Sequence, residues 1–135
     1  MLSIMNKPIV ILLFILLANI SFSQTDVPAF KFEKKVLKLP KTKAGEVLSI
    51  SYPFTNEGNV PLIISDIKVA CSCTKPSWPA YPILPGKTDT IHVSINTKTL
   101  IGWQDRILEI HSNTVNSPDK IRFKLMVDNP KDKKK

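Results

Sequence analysis

Cys71 and Cys73, separated by Ser72, are the only cysteines in the chain and the first place to look for chemistry. On an extended strand, residues two apart share a face, with Cα atoms about 6.6 Å apart at the usual rise. That is near the upper edge of what a disulfide tolerates, and parallel Cβ vectors hold the sulfurs apart. A bond here needs a kinked backbone and is expected to be strained. It closes a very small ring, so it adds little loop entropy, and strained disulfides are readily reduced. Three readings stay open. The pair can be small packing residues or a non-catalytic disulfide at a strand end, since buried cysteine behaves as a hydrophobe. It can be a thiol–disulfide exchange centre, although the chain lacks a Cys-x-x-Cys at a helix start to depress a thiol pKa. Or Cys71 and Cys73 can bind a soft metal, chiefly Cu(I), as two thiolates. A closed tetrahedral zinc site lacks ligands, because His92 and His111 fall on outward-facing positions of separate strands and read as surface residues.

The rest of the chain offers little for catalysis. It has no nucleophile elbow, phosphate-cradling glycine loop or zinc-protease helix motif. Glu33, Glu46, Glu57, Asp66, Asp89, Asp105 and Glu109 form no evident pair. An enzyme is not expected, and no cofactor is called for. Lys and Arg outnumber Asp and Glu by 19 to 11, for a net charge of +8. Part of the excess lies in a lysine-rich tail over residues 130–135, and the domain itself is only mildly basic. Arginine, the better phosphate fork, occurs only at Arg106 and Arg122, so a nucleic-acid partner is not expected.

Lys7 followed by the apolar run Ile9 to Ala18 reads as a signal peptide, too short for a comfortable membrane span. Ser21-Phe22-Ser23 places small residues at −3 and −1, so residues 1–23 are expected to be removed. The chain is then exported, periplasmic or extracellular, in a setting that permits disulfides. The mature part is expected to carry no integral membrane span.

The elements that must position the cysteines follow from period-two patterning. Residues 24–29 read as a linker. Phe30 and Phe32 open a strand that Val36, Leu37 and Leu39 continue after a bulge, and Pro40 to Gly45 makes a turn. Leu48, Ile50, Tyr52 and Phe54 share one face of a second strand, closed by the turn cluster Asn56-Glu57-Gly58-Asn59. Val60, Leu62 and Ile64 begin a third. Ile67, Val69, Cys71 and Cys73 continue it in the opposite parity, so a bulge or a change of sheet falls at Ser65-Asp66. Ile91, Val93 and Ile95 mark another strand, with Thr90, His92 and Ser94 facing out. Leu108 and Ile110 mark the next, and Ile121, Phe123, Leu125 and Val127 the last. Eleven prolines, four glycines and no helical periodicity predict an all-β domain over 30–129, an immunoglobulin-like β-sandwich of about seven strands.

Beside the cysteines, Pro76, Pro79, Pro82 and Pro85 recur every third residue, the period of a polyproline II helix. Trp78, Tyr81 and Leu84 would line a second edge of it. They either cover the sandwich edge or form a preorganised strip for a partner, because aromatics on stiff backbone lose little entropy on binding.

Several motifs resemble one bacterial family, domain of unknown function 1573. They are Asn56 and Gly58 with Pro61-Leu62, Ile64, Cys71-Ser72-Cys73-Thr74, Pro85-Gly86, Thr97, Gly102 and Ser112-Asn113. The resemblance spans Phe30 to Val127 and implies export and an immunoglobulin-like fold; it assigns no activity. The chain departs from the pattern at Ser72 and Pro40, where the family usually has glycine. Two functions fit these readings. The first is a non-enzymatic structural or protein-interaction module of the cell envelope, with an unidentified envelope protein as partner. The alternative is a thiol-dependent module binding copper or exchanging disulfides through Cys71 and Cys73.

Overall fold

Strands with one apolar face must bury it, and two stacked sheets satisfy that requirement together. The structure, a computed structural model, describes residues 25–129. The expected signal peptide at 1–23 and the lysine-rich stretch at 130–135 lie outside the described residues. Nine strands follow in order among the described residues: β1 (Phe30–Phe32), β2 (Val36–Lys38), β3 (Thr42–Lys43), β4 (Val47–Asn56), β5 (Ile64–Val69), β6 (Thr74–Ser77), β7 (Thr88–Asn96), β8 (Gly102–Ser112) and β9 (Asp119–Asp128). One sheet has the order β1-β4-β7-β6 and the other β2-β9-β8-β5, with β3 also on β9. All pairs are antiparallel except β2 and β3, which run parallel to β9. The expected immunoglobulin-like sandwich is the fold.

The core is the one the alternation predicts. Tyr52 and Phe54 of β4 and Ile91, Val93 and Ile95 of β7 face Leu108, Ile110, Ile121, Phe123, Leu125 and Val127 of the other sheet, all buried. Tyr52 also ties the sheets together, its hydroxyl donating to the Arg122 carbonyl at 2.9 Å.

Three local expectations need correction. The first strand is not one bulged strand: β1 pairs with β4 in one sheet, and β2 pairs with β9 in the other. The cause lies in β4. Glu57 N–H donates to Ala29 C=O and Glu33 N–H to Pro53 C=O, whereas Asn56 exchanges bonds with Lys87 and Gly86. Odd-numbered residues of β4 therefore turn their backbone groups toward β1, and even-numbered ones toward β7. Pro53 has no N–H to return to Glu33, so the ladder stops there and the chain crosses to the second sheet. Next, the turn expected over Pro40 to Gly45 contains β3, held by Ala44 N–H on Asp128 C=O. Finally, the third strand starts only at Ile64, Leu62 forming a separate bridge to Ile83. The irregularity at Ser65 is present, with a register shift between Ile64 and Asp66.

The turn after β4 is organised by Asn56, which is fully buried. Its Oδ1 accepts from Gly58 N–H (2.9 Å) and Ala29 N–H (3.3 Å), and its Nδ2 donates to Val60 C=O (2.8 Å) and Ile83 C=O (2.9 Å). Residues 25–29, expected as a linker, lack regular structure but are stitched to this turn, Val27 N–H donating to Asn59 Oδ1 at 2.9 Å. The segment lies so close that a Cβ on Gly58 would sit 2.2 Å from the Val27 carbonyl oxygen.

Asn56→Ala is expected to lower the unfolding free energy by about 2–4 kcal/mol, because buried backbone groups lose their partners. Asn56→Asp should do no better, since a carboxylate has no N–H for Val60 and Ile83. Urea melts of the two variants check this.

Burial pushes the Tyr52 phenol above its ordinary range. The unfolded phenol ionises near pH 10 while the folded one stays protonated. The native chain then holds the extra proton, and stability falls as pH rises through that point. Tyr52→Phe, at about 1 kcal/mol for the lost hydrogen bond, should flatten the fall in melts above neutral pH. Tyr81 and Lys31, also raised, keep some slope.

Candidate interaction site

The cysteines are not on a strand face. β5 ends at Val69 and β6 starts at Thr74, and the link between them carries the chain from one sheet to the other. Thr74 N–H donates to Cys71 C=O at 3.1 Å, closing a turn through Ser72 and Cys73. The turn brings the two Cα atoms to 5.1 Å, and the sulfurs are bonded. This corrects the placement of the pair on a strand face; the turn is the kinked backbone that a bond between residues two apart requires. Cys73 is buried in the core, and its carbonyl accepts from Asn96 N–H at 2.8 Å. Cys71 is half-buried, and Ser72 is exposed. Ser72 and Cys73 line a shallow cavity of about 340 Å³ with Lys75, Ser94 and Lys98. Bonded sulfurs are not thiolates, so Cys71 and Cys73 could take up Cu(I) only once reduced. The described residues contain no cluster of three or more His, Cys, Asp or Glu. His92 is exposed, bonded through Nδ1 to Ser51 Oγ at 3.1 Å; His111 is half-buried.

Trp78, Tyr81 and Leu84 do not form one strip. The even three-residue ladder gives way to the strand β6, a loop and the Leu62–Ile83 bridge. Thr74, Pro76 and Trp78 alternate inward, and Trp78 packs half-buried against the core. Tyr81 is 61% exposed and Leu84 55%, with buried Ile83 between them. The Tyr81 hydroxyl donates to Asp89 Oδ2 at 2.7 Å, and that bond, then the carboxylate's charge, raises the phenol's pKa.

A second exposed apolar group stands at the start of β8, where Gly102 has φ +73. Trp103 is 60% exposed, and Met126 lies directly across the ladder. Ile101 is exposed beside them, and the next pair on this face is Asp105 and Lys124. The Asp105 carboxylate contacts Arg122 at 3.4 Å and Lys124 at 3.6 Å. Sequence reasoning missed Trp103, although a signal was available. Counting back from Leu108 and Ile110 puts every odd residue of this strand outward, and a tryptophan on that parity is an exposed tryptophan.

The disulfide spans a single residue, so it constrains the unfolded chain little. Cys71→Ala with Cys73→Ala is expected to fold and to melt within a few degrees of the parent, followed by circular dichroism. Failure to fold would make the bond a structural staple.

Several solved structures share the fold. A protein of unknown function from Porphyromonas gingivalis is 14% identical with a TM-score of 0.66, covering 77% of this chain and 50% of that one. This chain thus spans about half the length of that protein. The ASH/PapD-like domain of human CEP192 is 12% identical with a TM-score of 0.55, covering 81% and 90%. The periplasmic chaperone SfaE is 13% identical with a TM-score of 0.52, covering 76% and 58%. At these identities the likeness is one of fold. No curated protein matches the chain. The model of the family described as "Protein of unknown function (DUF1573)" matches residues 30–127, and the chain belongs to that family.

Proposed function

We propose that the chain is an exported, non-enzymatic protein-interaction module of the cell envelope, periplasmic or extracellular. The observation that carries this reading is Trp103, held out on a rigid strand with Met126 beside it. The core is complete without these two side chains, so packing does not account for them. Tryptophan on stiff backbone offers a large contact area at small entropic cost and is enriched where binding energy concentrates. The PapD-like domain and the periplasmic chaperone among the structural neighbours support the same reading at the level of fold alone. Exposed Tyr81 and Leu84 offer further apolar contact on the loop after β6. The partner is an envelope protein with an apolar pocket for an indole.

The test separates binding from folding. Trp103→Ala is expected to leave the melting temperature within a few degrees of the parent. It should also remove a partner that the parent recovers from envelope extracts of its host. Recovery of the same partner by both proteins would refute Trp103 as the contact, and recovery lost only on replacing both cysteines would favour the thiol-dependent module.

A further inference from the structure

Strand β4 is longer than the strand that covers it. β1 pairs only with Phe54, Thr55 and Asn56, and the ladder ends at Pro53. Below that point Val47, Ser49 and Ser51 are odd-numbered, so their N–H and C=O groups point away from β7 to the side β1 has left. Their side chains are exposed, and the neighbouring inward residues Leu48 and Ile50 are only half-buried at this edge.

Natural sheets guard open edges with charge, proline, bulges or shortness. The other edges here are guarded. In β6 the residues whose backbone groups face the open edge are Thr74, whose N–H is taken by Cys71 C=O, and Pro76, which has no N–H. β5 carries the register shift at Ser65 beside Asp66 and Lys68. β1, β2 and β3 are short and carry Lys31, Lys38 and Lys43. β8 runs past the end of β5, but there its open-edge residues Trp103, Asp105 and Ile107 include the charge of Asp105. From Val47 to Ser51 the β4 edge has no charge or proline, and its pairing with β7 is unbroken.

We propose that this edge pairs with the same edge of a second copy of the chain. An antiparallel pairing centred on Ser49 sets Val47 opposite the partner's Ser51 and joins the two sheets into one. The contact is isologous, the commonest form of homodimer. Without residues 1–23, and so without Lys7, the chain still carries 18 Lys and Arg against 11 Asp and Glu, a net +7 that opposes self-association through most surfaces. This edge brings no charged side chain to the seam, only small hydroxyls and a valine, and it covers Leu48 and Ile50. So short a seam buries less than the roughly 1,200 Å² of a stable interface. The dimer is therefore weak and reversible, populated in the micromolar range and above.

Ser49→Pro tests it with little disturbance within the protomer, because the N–H removed is not one that serves β7. Pro53, of the same parity, shows that β4 accepts the ring. Sedimentation equilibrium of the protein recovered from its host should show a dimer growing with concentration. Ser49→Pro should raise its dissociation constant about tenfold or more, with the melting temperature little changed. Ser49→Lys provides a second variant if the proline one fails to fold. In host cells carrying the full chain, the Ser49→Cys variant should form a disulfide dimer under mild oxidation. Facing residues of a hydrogen-bonded pair lie about 5.5 Å apart, within disulfide reach. Thr55→Cys, on the same strand but under β1, should not crosslink. A parent that stays monomeric at every concentration overturns the proposal. So does a dimer untouched by a folded Ser49 variant, or a Ser49→Cys crosslink to a protein of any other mass.

Discussion

The carboxamide of Asn56 is the constraint on which one pole of the sandwich depends. Its two lone-pair directions and two N–H groups meet four backbone groups, from Ala29, Gly58, Val60 and Ile83. These belong to three stretches of chain far apart in sequence: the lead into β1, the turn after β4, and the loop before β7. No other side chain has this inventory at this length; aspartate lacks the donors, and glutamine places them one methylene too far out. A buried polar group is tolerable only when fully paired, and here full pairing also fixes how the three stretches meet. Gly58 belongs to the same arrangement, because only a residue without Cβ lets the first stretch approach so closely.

β4 joins this pole to the rest of the domain. Its even residues supply the core face and the bonds to β7; its odd residues serve β1 as far as Pro53 and no further. One proline thus sets where the first strand ends and sends the chain into the second sheet. The remaining surface features follow from a finished interior: side chains beyond the core's needs, such as Trp103 and Met126, stand on strands whose positions are already determined.

What could be read from the sequence was whatever repeats with period two. The inward faces of β4, β7, β8 and β9 follow directly from Leu48 to Phe54, Ile91 to Ile95, Leu108 with Ile110, and Ile121 to Val127, and so does the irregularity at Ser65. Sheet membership was not legible, because alternation says which way a side chain points and nothing about which neighbour the backbone pairs with. The stretch from Phe30 to Leu39 alternates acceptably as one strand, yet it divides between two sheets over the missing N–H of Pro53. The cysteines were misplaced for a related reason. Their spacing fits a strand as well as a turn, and the hydrogen bond from Thr74 to Cys71 that decides between them has no sequence signature. Trp78, read as edge cover or as part of a partner strip, packs on the core, and Trp103, for which no role was read, faces solvent.

The parallel pairing of β2 and β3 with β9 also shapes how the domain comes together. Val36 to Lys38 lie beside Arg122 to Lys124, so an early part of the domain finds its place only against the last strand. Loop closure over that span is entropically expensive and is repaid only after the intervening strands have formed. A ribosome-bound chain that lacks β9 therefore has a second sheet without its closing strand, and β8 exposed where β9 belongs. Folding of this domain waits on β9, and its vulnerable period is the time before that strand is available.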